Sequence, residues 1–152
     1  MARHHPARIT VVGVKRAATV QEGLVAGAVA AVLSGAPSAL HAVATRASPL
    51  EPTLAAGTLL APRERRPHVL LLAAVPVHIV LSLGWAVLLA AFLPRRRTVA
   101  YATLAGLAIA ALDLGVVGRR FPRIRALALV PQVLDHVAYG ATVGAVLSSR
   151  RR

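Results

Sequence analysis

Six of the eleven acidic and histidine side chains in this sequence lie within long apolar runs: Glu22, His41, His78, Asp113, Asp135 and His136. An ionisable group surrounded by hydrocarbon is expensive, so each must find a partner or carry a function. The strongest pattern is in the last run. At 100° per residue, Gln132, Asp135, His136, Tyr139 and Thr142 fall on one arc of about 120°, with Gly140 and Gly144 beside it. In the preceding run Asp113 shares a stripe with Ala102, Gly106 and Ala110, and in the one before that His78 shares a stripe with Ser82 and Trp85. Counting inward from the charged ends at 1.5 Å per residue places Asp113, Asp135 and His78 about 9 to 14 Å from one surface, with His41 near it. Asp113, Asp135, His136 and His78 are therefore expected to converge in one half of a helical bundle, while Glu22 lies in the other half.

Three chemistries suit such a set. Asp to His or Tyr hydrogen bonds between helices would fix their register. A polar cavity would instead handle protons, ions or a small solute. A metal or haem site would draw ligands from four separate helices, and no Glu-x-x-His or His-Glu-x-x-His pair is present. Neither a metal nor another cofactor is expected. The sequence also lacks a phosphate-binding glycine loop, a Gly-x-Ser-x-Gly elbow and any cysteine, and Ser34 and Ser38 are explained by small residues at a helix break. No enzymatic activity is predicted.

The elements that must position these groups follow from hydropathy. Of 152 residues 57% are hydrophobic, and the charges crowd into short stretches between runs of Ala, Val, Leu and Gly. A bilayer imposes that segregation. The runs cover residues 20–43, 69–93, 98–117 and 127–147, each long enough to cross a hydrocarbon core of about 30 Å. The fold class expected is all-α: an integral membrane bundle of four transmembrane helices. A basic arm, residues 1–19, precedes it and is expected to have no fold of its own, and a basic tail, residues 148–152, follows. Ser48, Pro49 and Glu51 have the spacing of a capping box, so a short interfacial helix with Leu50, Leu54 and Leu59 on its apolar face is expected in the first loop. Pro94, Arg95, Arg96 and Arg97 leave so short a connection that the second and third runs should form an antiparallel hairpin.

Helix packing is readable from small residues. Gly23, Gly27, Ala31 and Gly35 recur every four residues in the first run, as Gly106, Gly140 and Gly144 mark the close faces of the last two. A competing reading makes the first run a signal peptide, because Lys15 and Arg16 precede it and Ala42, Val43 and Ala44 resemble a cleavage site. The length of the arm and of the apolar run counts against that.

The net charge of +13 would suggest nucleic acid in a soluble protein, but the basic residues flank the apolar runs and aromatics are only 3%, leaving no stacking platforms. The partners expected are the lipid bilayer and its anionic head groups, with a second copy or another membrane protein as a further partner, and no nucleic acid. With four crossings, the arm, second loop and tail carry ten Lys and Arg against eight in the first and third loops, which places both termini in the cytoplasm. If the first run is re-entrant, the division becomes twelve against six. The segments SGAPSALHA, PLEPTLAAGTLL and HVAYGATVGAVL resemble patterns in small uncharacterised bacterial multi-pass membrane proteins. That resemblance implies a helical membrane fold and carries no activity or site with it. Together with an Ala- and Arg-rich composition it points to a bacterial cytoplasmic membrane. The function expected is an accessory or oligomeric membrane component, with a small transporter or channel built on the Asp and His cluster as the alternative.

Overall fold

The structure, a computed structural model, describes the backbone of residues 7–152 and the side chains of residue 17 and of residues 19–152. Arg3 and the side chains of Arg8, Lys15 and Arg16 lie outside that description. Among the described residues seven α-helices follow one another: α1 (Ala7–Leu33), α2 (Ala36–Thr45), α3 (Glu51–Gly57), α4 (Pro67–Phe92), α5 (Thr98–Leu112), α6 (Pro122–Arg125) and α7 (Leu129–Arg150). A π-helical turn, Asp113–Val117, and a 3-10 turn, Gly118–Arg120, extend α5. No strand occurs among the described residues.

Helix α1 starts at Ala7, well inside the segment expected to be an unstructured arm. Between Ala7 and Leu33 there is no proline to interrupt the hydrogen-bond ladder, so the apolar helix continues back through the basic residues. The first interruption comes where Pro37 has no N–H to offer the Leu33 carbonyl and its ring crowds that carbonyl. The chain turns at Ser34 and Gly35 and restarts as α2, which ends at Arg46 in the left-handed region (φ 56°).

Four long helical segments pack antiparallel. Helix α1 lies between α4 and α7, and α7 lies between α1 and α5. Helices α4 and α5, adjacent in sequence, barely touch, so the expected hairpin reverses direction without forming a packed pair. The two tight seams are α1 with α4 and α5 with α7. A Cβ on Gly23 would lie 2.6 Å from Val87 Cα, and one on Gly27 2.8 Å from the Ser82 carbonyl oxygen. In the other seam a Cβ on Gly106 would collide with the His136 carbonyl, one on Gly140 with the Ala102 carbonyl, and one on Gly144 would lie 2.7 Å from Val99 Cα. Without side chains between them the backbones approach closely, which maximises dispersion contact between the helices. Gly35 is the exception to the expected ridge: open space surrounds it, because the turn at Ser34 takes it off the helix face.

The core joins both seams through Ala26, Ala30, Ala86, Leu89, Ala90, Ile109, Tyr139, Val143 and Leu147, with Trp85 and Leu93 packed against them. Much of the remaining apolar surface faces outward; Val32 is 80% exposed, Leu72 72% and Phe92 82%. In water such a surface would aggregate. Among the described residues three helical segments are long and apolar enough to span a membrane: Thr19–Thr45, Pro67–Phe92 and Thr98–Arg120. Helix α7 is long enough, but Gln132, Asp135, His136 and its serines dilute it below that standard.

The first-loop helix differs from its expected form. Helix α3 starts at Glu51 with Leu50 as N-cap, and Ser48 Oγ accepts a hydrogen bond from the Leu50 N–H at 3.3 Å, so no reciprocal capping box forms. Leu54 is buried and Gly57 abuts Leu70 of α4, whereas Leu50 is half exposed. Burial against α4, rather than a continuous lipid-facing stripe, holds this helix.

Candidate functional site

The polar cluster forms where two helical segments lose their regular ladder, at Ser34 and Gly35 and at Asp113, beside the unbroken α7. In an unbroken helix the Ser38 N–H would bond the Ser34 carbonyl. The turn before Pro37 frees it, and it donates instead to Asp135 Oδ1 of α7 at 2.9 Å. Asp135 thus supplies from a neighbouring helix the oxygen that an N-cap residue would supply locally, and its charge meets the positive end of α2.

One residue on, His136 bridges to α5. Its Nδ1 lies 2.8 Å from the Gln132 carbonyl oxygen and must donate to it, since a carbonyl can only accept. Its Nε2 lies 3.4 Å from Asp113 Oδ2. With Nδ1 already a donor, a hydrogen bond between Nε2 and Oδ2 needs one further proton, on either of the two atoms, since both otherwise only accept. In both states the pair is neutral overall, which is what a low-dielectric setting favours. Asp113 opens the π-helical turn, a ladder irregularity that recurs at functional sites.

Tyr139, a turn further along α7, donates its hydroxyl to the Ser82 carbonyl of α4 and ties the two seams together. Gln132, two turns earlier on the same face of α7, is also buried. His78 does not join. Its Nε2 contacts the Ala31 carbonyl oxygen of α1 at 3.0 Å, one turn before the break. Depth along the helix placed it correctly in height, but α4 sits on the α1 side of the bundle, away from Asp113. His41 is exposed on α2, with its carbonyl accepting from Thr45 Oγ1.

The opposite end carries a feature that sequence spacing did not signal. Arg151 is almost fully covered: its Nε donates to Glu22 Oε2 at 2.9 Å, and its Nη atoms donate to the Ala90 and Leu93 carbonyls at the end of α4. One guanidinium therefore joins α1, α4 and the end of α7. In the loops, Arg123 pairs with Glu51 at 3.3 Å, and Arg66 pairs with Glu64 at 2.8 Å.

No group of three or more metal-ligating side chains is found among the described residues. Two cavities open at the ends of the bundle. One, of about 440 Å³, is lined by Pro94, Arg96, Arg97 and Tyr101, and the other, of about 460 Å³, by loop residues near Arg63 and Arg120. Neither is lined by Asp113, Asp135 or His136. No protein-family model matches the chain, and no curated protein or solved structure is similar to it. The class is set by physics alone: an all-helical protein whose long apolar helices suit a membrane.

Proposed function

We propose that all four long helical segments, α1 with α2, α4, α5 and α7, cross the cytoplasmic membrane of a bacterium, with α3 at the bilayer surface. The start of α1, the turn after α4 and the end of α7 would lie on the cytoplasmic side, and the protein would serve as a non-enzymatic accessory or assembly component. The observation that carries this reading is the pairing within the cluster. Asp135 Oδ1, both ring nitrogens of His136 and the Tyr139 hydroxyl each meet a partner on a neighbouring helix or on backbone, which supports a crossing α7 whose apolar remainder faces lipid.

Two measurements test it. The protein should stay in the membrane pellet after alkaline and high-salt washing, and accessibility tags in residues 95–97 and after Arg150 should report one side while tags in residues 59–66 and 119–125 report the other. A tag after Arg150 reporting with 119–125 would mean that α7 does not cross, and the proposal would fail.

A second reading is favoured by one observation: the break at Ser34 and Gly35 and the π turn from Asp113 fall at the same level as the cluster. Interrupted helices with ionisable groups between them are how transporters build midplane sites. Asp135→Asn separates the two readings. An amide oxygen still accepts from Ser38 N–H, so a structural tie predicts a stability loss below about 1 kcal/mol and no change in proton flux of reconstituted vesicles. Proton conduction predicts a measurable wild-type flux that this variant abolishes.

A further inference from the structure

The chain folds residues from two distant loops around one cavity. Arg63 and Arg65 precede α4, while Arg120 and Arg123 flank the turn into α6; together with Thr58, Pro62, Glu64, Phe121 and Pro122 they line about 460 Å³ at the end of the bundle. Both carboxylates nearby are already committed. Glu64 accepts from the Arg65 and Arg66 N–H groups and from the Arg66 guanidinium, which holds its carboxyl down at about 2, so it stays ionised with its charge offset. Glu51 is engaged by Arg123, a pair that also fastens α3 to the third loop and so fixes the cavity walls. Among the described residues Arg63, Arg65 and Arg120 have no carboxylate within ion-pair distance. Three uncompensated guanidinium groups around one concavity repel one another unless an anion lies between them.

We infer that this cavity binds a phosphate group, held by the guanidinium groups of Arg63, Arg65 and Arg120. Guanidinium forks match the tetrahedral oxygens of phosphate in paired hydrogen bonds, and arginines from two distant loops lining one cavity distinguish this site from arginines scattered along a helix end. The phosphate has two sources: the head group of an anionic phospholipid, or a phosphate ion from solution. Pro62, Phe121 and Pro122 give the cavity an apolar rim next to the lipid-facing helices, which suits a head group whose acyl chains continue into the bilayer. Placing the cavity at a bilayer surface rests on the membrane reading above; the extraction measurement tests that reading independently of any ligand.

The test uses the full chain purified in a neutral detergent. Native mass spectrometry counts phosphatidylglycerol and phosphatidylcholine retained per protein, for the wild type, for Arg63→Gln with Arg120→Gln, and for Arg96→Gln with Arg152→Gln, which loses the same charge at the other end. Wild type and the Arg96/Arg152 variant should retain phosphatidylglycerol over phosphatidylcholine, and the Arg63/Arg120 variant should bind it about tenfold or more weakly. Inorganic phosphate should compete with the lipid in the wild type. Saturable phosphate binding without lipid selectivity supports the site and assigns its ligand to solution. Equal lipid retention by all three proteins, together with no saturable phosphate binding by the wild type, overturns the inference. Should the Arg63/Arg120 variant fail to fold, phosphate competition in the wild type still decides.

Discussion

Helices α4 and α7 invert the rule that holds in water. Helix α4 is almost wholly apolar, yet it turns Leu72, Val75, Ile79, Val80, Leu88 and Phe92 outward. Helix α7 carries Gln132, Asp135, His136 and Tyr139, and it is packed against α1, α2 and α5 and tied to α4. Where lipid is the solvent, polarity marks the inside, because only other protein groups can satisfy it. The most hydrophobic helix then keeps its faces toward α1 and α3 for protein partners and turns the rest outward.

Paired substitutions can break or sharpen that contrast. The largest effect should come from glycine to alanine. In α7, Gly140→Ala drives a methyl into the Ala102 carbonyl and should destabilise by about 2 to 3 kcal/mol, whereas Gly84→Ala in α4 meets nothing within 4 Å and should be neutral or mildly stabilising. Unfolding in mixed micelles measures both, and equal losses at the two sites would refute the inward placement of α7. Next comes Arg151→Met, which removes the tie from the end of α7 to Glu22 and to the end of α4. A loss of about 1.5 kcal/mol is expected, and a melting curve identical to that of wild type would show the clamp to be idle. The smallest effect is expected from Tyr139→Phe at about 1 kcal/mol, set against less than about 0.5 kcal/mol for Val80→Ala on the outer face of α4. A reversed order for that last pair would mean that α4 has a protein neighbour at Val80.

Much of the helical layout was legible in the sequence because long apolar runs bounded by charges write themselves into hydropathy. The helical runs at 69–93 and 98–117 end within a few residues of the apolar segments Pro67–Phe92 and Thr98–Arg120. The stripe of Ala102, Gly106, Ala110 and Asp113 faces α7 because close packing requires small residues wherever it occurs. What stayed hidden depends on how the helices sit around one another. His78 has the right depth but the wrong direction, since 1.5 Å per residue measures height and says nothing of which neighbour a helix faces. The Glu22 and Arg151 pair spans 129 positions and has no local signature. Asp135 was visible as an acid within an apolar run, but its partner is a backbone N–H left free where Pro37 interrupts the first run, five helices earlier. The π turn at Asp113 leaves no residue pattern by which spacing could reveal it.

The separation of α4 from α5 bears on how the chain reaches this structure. Each tight seam joins helices made close together in time, α1 with α4 and α5 with α7, and the first is complete in sequence before Thr98 is synthesised. The turn at Arg95, Arg96 and Arg97 carries no packing between its flanking helices, so it links two antiparallel couples without having to position either. Order of synthesis can therefore serve as order of assembly: an early couple sealed by Gly23 and Gly27 can form with its Ser82 carbonyl unclaimed, before a later couple sealed by Gly106 and Gly140 docks and Tyr139 claims it.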